Sequence, residues 1–88
     1  MNIYEQAIER WGADNQITKI QEECLELSLA INNMACPTKD KVVAYENFID
    51  ECADVIIMMR QAELIIGKEV LDSAIDKKLE KLKKHLLQ

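Results

Sequence analysis

The feature that most restricts the fold is the scarcity of residues that break secondary structure: the 88-residue chain contains two Gly and one Pro. Turns and loops depend on these residue types, so the sequence has material for few connections. Apolar residues make up 49% of the chain, and this composition is not that of a disordered protein. We therefore expect an all-α fold of long helices in a single domain spanning residues 1–88.

Four helices are predicted, over residues 3–11, 16–33, 41–66 and 69–87. The stretch 12–15 separates the first two helices, and Asp14 or Asn15 would cap the second. The loop before the third helix contains Pro37, which biases the residue before it away from helical conformation. Gly67 follows the third helix at the position where a helix commonly ends on glycine.

Charge and composition exclude several classes of function. The chain has 11 basic and 16 acidic residues, a net charge of −5, so we expect no nucleic-acid partner. It has no run of about 18 apolar residues and no basic segment before an apolar run at its N-terminus, so we expect neither a membrane span nor a signal peptide. Three cysteines without a CxxC pair fit reduced thiols in a cytoplasmic protein, and one histidine excludes a His-rich metal site.

Three carboxylates of the second predicted helix share one sector of its surface. Glu22, Glu23 and Glu26 fall within about 100° of one another when each residue turns the helix by about 100°. Two apolar stripes flank this sector, formed by Ile17, Ile20, Cys24, Leu27 and Ile31 and by Leu25 and Leu29. A solvated face would lie opposite a single stripe. We therefore expect this helix to be covered on two sides, with its carboxylates facing the gap.

The third predicted helix carries two acids at its most apolar segment. Asp54 lies inside residues 52–59, which are otherwise apolar, and Glu51 precedes it by three residues on the same face. One stripe of this helix comprises Asn47, Glu51, Asp54, Met58 and Gln61. A buried ionised carboxylate without a partner is costly or has a raised pKa. Because helices joined by a short loop pack antiparallel, we expect these acids to face the carboxylates of the second helix.

Carboxylates brought together in this way repel one another, and a hard divalent cation is the ordinary remedy. Mg²⁺ prefers oxygen ligands in octahedral geometry and commonly keeps water and phosphate oxygens in its shell. Without the five acids Glu22, Glu23, Glu26, Glu51 and Asp54, the net charge of −5 would be zero. The pattern therefore predicts an Mg²⁺ site, although the first motif alone is also common on solvated helix faces.

Residues 22–26 (EECLE) and residues 51–54 (ECAD) resemble the EExxE…ExxD signature of the all-α nucleoside triphosphate pyrophosphohydrolases. That superfamily includes the MazG-like proteins, the dimeric dUTPases and the phosphoribosyl-ATP pyrophosphohydrolases. The lead-in of Trp11-Gly12, Gln16 and Lys19 is similar to the MazG-like pattern, as is a last helix with spaced lysines. The resemblance covers about residues 11–84, which is most of the chain.

The resemblance implies a MazG-like helical bundle with four helices per chain, whose four-helix core is completed by oligomerisation. It also implies hydrolysis of the α–β phosphoanhydride of a nucleoside triphosphate, NTP or dNTP, to a nucleoside monophosphate and pyrophosphate, with Mg²⁺ or Mn²⁺ as cofactor. By motif position, the metal ligands would be Glu23, Glu26, Glu51 and Asp54. Glu22 would orient the attacking water or accept its proton.

The substrate-binding residues that the same resemblance implies are Gln16, Lys19, Lys77 and Lys81. The last helix departs from the family pattern, because the Asn and Arg found beside the basic residues of many members are missing from residues 76–84. Lysine can bind phosphate as a point charge, but lysines near a helix C-terminus also simply favour its dipole.

The third helix carries more apolar surface than a small monomer could cover, which predicts a homo-oligomer, either a dimer or a tetramer. The alternative function is a non-catalytic helical module that keeps the fold and binds a partner through this apolar face. Metal affinity at Glu51 and Asp54 would discriminate between the two functions.

Overall fold

The computed structural model describes all residues, Met1–Gln88, and contains four helices and no strand. In chain order these are α1 (Ile3–Trp11), α2 (Ala13–Ala35), α3 (Lys41–Ile66) and α4 (Lys68–Leu86). The all-α prediction with four helices is confirmed. None of the helices is long and apolar enough to cross a membrane.

Two helices begin at side-chain caps that satisfy their first backbone N–H groups. Asn2 and Glu5 form a reciprocal capping box at the start of α1, with distances of 2.9 and 3.0 Å. At the start of α3, Asp40 Oδ1 accepts hydrogen bonds from the backbone N–H groups of Val42 and Val43, at 2.9 and 3.0 Å. Both helices begin and end at the predicted residues.

The predicted start of α2 is wrong, because Gly12 alone separates it from α1. Gly12 has a φ of 86°, a conformation that glycine adopts readily, and the next helix begins at Ala13. Neither predicted cap acts as one. The Asn15 side chain instead donates to the carbonyl of Trp11 at 2.7 Å, and the Asp14 carbonyl accepts from Thr18 Oγ1 at 3.1 Å.

Gly67 performs the same task between α3 and α4, with a φ of 105° and its N–H donating to the carbonyl of Glu63. The loop between α2 and α3 is shorter than predicted, since α2 continues to Ala35 before Pro37 intervenes. Lys41 Nζ closes this loop by donating to the carbonyls of Met34 and Cys36, at 2.8 and 3.2 Å.

The fold is built on the pairing of α2 and α3, which run antiparallel from the short loop. Asn33 lies near Ala44 and Asn47 at the loop end, and Gln16 lies near Gln61 at the other end. The buried apolar residues are Ala30, Ala44, Met58 and Ala62. Since three of these four are alanines, the two backbones can approach closely, and polar side chains between them are forced together.

The outer helices add little to this core. α1 packs on both α2 and α3, where Arg60 Nη1 donates to the Tyr4 hydroxyl at 2.8 Å and its guanidinium lies 5.9 Å from the ring centroid. α4 contacts α3 alone and has no buried residue. The expected covering of α2 on two sides is not found within one chain, because Leu25 and Leu29 are 65% and 60% exposed.

Candidate metal centre

The middle of the α2–α3 pair holds four carboxylates whose oxygens come together. Glu23 and Glu26 from α2 and Glu51 and Asp54 from α3 each offer one oxygen, and these atoms all lie within 4.8 Å of one another. In both helices the two acids are three residues apart, which places them on the same face. Antiparallel pairing then brings the two faces together. We call these four residues the carboxylate cluster.

The cluster is closed on one side and open on the other. Glu23 is buried at 6% exposure and Glu51 is half-buried, whereas Glu26 and Asp54 are exposed. The apolar segment around Glu51 and Asp54 indicates buried acids, but Asp54 is exposed. The most buried acid of the cluster is Glu23, which belongs to α2.

Two oxygens of the cluster lack any hydrogen-bond partner. Glu23 Oε2 and Glu51 Oε2 are closed off from solvent, and no donor contacts either atom. Native proteins pair nearly all of their buried polar atoms, so an unpaired carboxylate oxygen points to a missing cation or donor. This observation sets the cluster apart from acids that merely share a solvated face.

Burial and repulsion both act on Glu51. Loss of solvent raises the pKa of the Glu51 carboxyl above its ordinary value of 4.5, and the charges of Glu26, Asp54 and Glu23 raise it further. Desolvation is the largest of these causes. A divalent cation would relieve the repulsion and compensate the buried charge. The site consists only of carboxylate oxygens, which suits Mg²⁺ or Mn²⁺ better than metals that prefer nitrogen or sulfur.

Lys19 supplies the positive charge nearest to the buried acid. Its Nζ lies 3.4 Å from Glu23 Oε1 and 3.5 Å from Glu22 Oε2. The hydrogen bond and charge of Glu23 raise the pKa of the Lys19 ammonium, with a smaller contribution from Glu22. Glu22 itself lies outside the carboxylate cluster, on the exposed side of Lys19. A cation bound to the cluster would compete with Lys19 for Glu23.

A groove opens beside the cluster at the α1 end of the helix pair. It has a volume of about 450 Å³ and is lined by Trp11, Asn15, Gln16, Lys19, Met58 and Gln61. The predicted substrate residues Gln16 and Lys19 thus share one groove, and Lys19 joins that groove to the cluster. Gln61 also lines this groove, although its sequence context did not mark it as a site residue. The available signal was its position in the same helical stripe as Glu51 and Asp54.

The remaining predicted substrate residues lie elsewhere. Lys77 and Lys81 are exposed on α4, which makes no contact with α2, and Lys77 lies beside Glu69, Val70, Ser73 and Ala74. One chain therefore brings together the four predicted metal ligands, with Lys19 and Gln16 beside them, but not the α4 lysines. No protein-family model matches this chain, and no curated protein or solved structure matches it either.

Proposed function

We propose that this protein is an Mg²⁺-dependent nucleotide pyrophosphohydrolase, which cleaves the α–β phosphoanhydride of an NTP or dNTP to a nucleoside monophosphate and pyrophosphate. The observation that carries the proposal is the carboxylate cluster, which brings four oxygens within 4.8 Å of one another and contains two carboxylate oxygens buried without partners. The EExxE…ExxD resemblance adds the reaction class. A cluster of this kind is where a hard cation and a polyphosphate would meet.

The residues divide the work according to their positions. Mg²⁺ held by the carboxylate cluster would neutralise charge on the phosphate oxygens and assist attack by water. The exposed Glu26 and Asp54 define the open side from which a polyphosphate enters. Glu22, next to the cluster and exposed, takes the proton of the attacking water as the α–β bond breaks and pyrophosphate leaves. Lys19, whose Nζ lies 3.4 Å from Glu23 Oε1, would bind the substrate phosphates as a point charge.

The proposal includes a homo-oligomer, a dimer or tetramer whose MazG-like core is completed between chains. The single chain exposes 7013 Å² of surface, whereas a folded monomer of its 10.1 kDa mass typically exposes about 5,300 Å². The surplus of roughly 1,700 Å² per chain is of the size that obligate interfaces bury. Isoleucines such as Ile49 and Ile56, half-exposed one heptad apart on α3, supply an apolar stripe for such an interface.

A non-catalytic helical module is the second candidate, and the same exposed apolar surface favours it. That module would bind a partner without turning over a nucleotide. The two candidates therefore differ in chemistry rather than in fold.

The deciding experiment measures pyrophosphate release from a panel of NTPs and dNTPs with Mg²⁺ or Mn²⁺. We expect release by the wild type and loss of at least about 100-fold in Glu51→Gln, since removing a metal ligand removes both charge and position. Asp50→Asn is the matched control, because it removes an exposed carboxylate one residue away that lies outside the cluster. If the wild-type protein releases no pyrophosphate and binds no Mg²⁺ in calorimetry, the proposed enzymatic activity is contradicted, and the non-catalytic binding module remains.

A further inference from the structure

The floor of the groove beside the cluster contains an unpaired amide. Gln61 is only 5% exposed, and its Oε1 is closed off from solvent without a hydrogen-bond partner. Across the groove lies a second buried carboxamide, that of Gln16, at 7% exposure. Buried polar groups are nearly always paired, so an unpaired carboxamide that lines a groove indicates a partner from outside the chain.

The other walls of the groove indicate the kind of partner. Trp11 presents a partly exposed indole at the rim, and Met58 contributes a buried, polarisable thioether. A flat aromatic face, a thioether and amide groups together suit a planar heterocycle with hydrogen-bonding groups on its edge. The volume of about 450 Å³ lies within the range of small-molecule sites.

Lys19 connects this groove to the carboxylate cluster. The residue lines the groove, and its Nζ lies 3.4 Å from Glu23 Oε1 in the cluster. Gln61 and Asp54 are seven residues apart on α3, which places them on the same face two turns apart. A ligand with a polyphosphate at the cluster therefore has its ring end within reach of the groove.

We infer that the Gln61 carboxamide is the residue that discriminates between nucleobases, through the ring edge of a nucleotide bound in this groove. The inference rests on the proposed function for its choice of substrate class. A carboxamide offers a hydrogen-bond donor and an acceptor side by side, so it pairs with a base whose edge has an adjacent acceptor and donor. A base without this pair of groups would leave the buried amide unpaired and is rejected.

The test measures binding rather than turnover. Non-hydrolysable α,β-methylene analogues of the common nucleoside triphosphates are titrated with Mg²⁺ into the protein, and the fluorescence of Trp11, the single tryptophan, reports binding. We expect the wild type to rank the analogues by base over at least about tenfold in Kd. Gln61→Met keeps the size of the side chain. We expect it to lower the affinity for the best analogue about tenfold and to make the Kd values for the different bases similar, which we call levelling of the ranking.

Two further variants make the result specific. Gln61→Asn keeps the amide but withdraws it by one methylene, and we expect the same levelling if the position of the amide matters. Gln21→Met makes the same chemical change at an exposed position of α2 outside the groove, and we expect the wild-type ranking. Gln61→Met is expected to melt no lower than the wild type, because it removes an unpaired buried oxygen.

The inference and the proposed function fail in different ways. If Gln61→Met and Gln61→Asn both rank the analogues as the wild type does, the inference is overturned, while pyrophosphate release and Mg²⁺ binding keep the proposed function. If the wild type binds no analogue in the presence of Mg²⁺, the inference is overturned, and pyrophosphate release decides the proposed function separately. Levelling in the two Gln61 variants, with unchanged affinity for Mg²⁺ alone, supports the inference.

Discussion

At the scale of single residues, the pKa of Glu51 links the cluster to stability. Its pKa is higher in the folded chain than the ordinary value of 4.5, first through desolvation and then through Glu26, Asp54 and Glu23. The folded state therefore holds this proton more tightly than the unfolded chain. The stability linked to it is fully present below pH 4.5 and is lost as the pH rises through the raised pKa.

This linkage predicts the melting behaviour of Glu51→Gln without metal. In EDTA at pH 7 we expect the variant to melt above the wild type, and the difference to shrink as the pH falls towards 4.5. Circular dichroism melts across this range provide the measurement, with Asp50→Asn as the control outside the cluster. Saturating Mg²⁺ should reverse the order, because only the wild type gains the full binding energy. A melting difference that stays constant with pH would contradict the linkage.

Lys19 gives a second prediction at this scale. Its ammonium repels an incoming cation and pairs with Glu23, so Lys19→Met is expected to bind Mg²⁺ alone more tightly than the wild type. The same variant is expected to bind a Mg²⁺–nucleotide analogue more weakly, because the phosphates lose a positive partner. Calorimetry measures both affinities. Lys68→Met is the matched control, since Lys68 forms a similar pair with Asp72 at 2.7 Å on α4. Equal Mg²⁺ affinity in wild type and Lys19→Met would contradict the competition.

The sequence predicts, from the spacing of its acids on two antiparallel helices, that five carboxylates come together, and the family resemblance reduces these to the four of the cluster. It does not identify which of them is buried. That depends on how closely the backbones approach, and the approach is set by alanines such as Ala30 and Ala44 on the facing helix surfaces. Gln61 was missed for a related reason. An amide in a helical stripe that already contains polar residues is unremarkable until the fold leaves its oxygen without a partner.

At the scale of helices, the N-terminus of α3 is fixed by a side-chain cap. Asp40 Oδ1 accepts hydrogen bonds from two backbone N–H groups there. Loss of such a cap typically costs about 1 kcal/mol, so Asp40→Ala should lower the melting temperature by about 4–8 °C. Asp40→Asn keeps an oxygen at the cap and should stay close to the wild type. Thermal melts in EDTA separate this effect from metal binding, and equal losses in both variants would contradict capping.

Helix boundaries show where sequence patterns suffice and where they do not. The bounds of α3 follow from Asp40 and Gly67, whose chemistry specifies a start and an end. The start of α2 does not follow from a capping residue in the same way, because a glycine with positive φ can change the chain direction in one residue without a polar cap. Asp14 and Asn15 are good caps in general, but helix α2 has already begun before them.

At the scale of the whole molecule, the single chain leaves its apolar surface uncovered. Leu25 and Leu29 on α2 are exposed, as are Ile49 and Ile56 on α3, and α4 buries nothing. The sequence indicates this exposed apolar surface, because its helices carry more apolar stripes than four helices of one chain can bury. It does not indicate the arrangement of chains, which depends on the shape of both surfaces. Within one chain α4, which carries the lysines, contacts α3 and makes no contact with α2.

The last prediction concerns the proposed homo-oligomer. Sedimentation equilibrium should give a mass of two or four times 10.1 kDa, and the melting temperature should rise with protein concentration, because association stabilises the folded state. Ile56→Lys places a charge in the exposed stripe of α3 and should yield monomers or an unfolded chain. Gln21→Lys adds the same charge at an exposed polar position and should keep the wild-type mass. A wild type that sediments as a monomer, with a melting temperature independent of concentration, would contradict the assembly, and the roughly 1,700 Å² of surplus surface would then need a different partner.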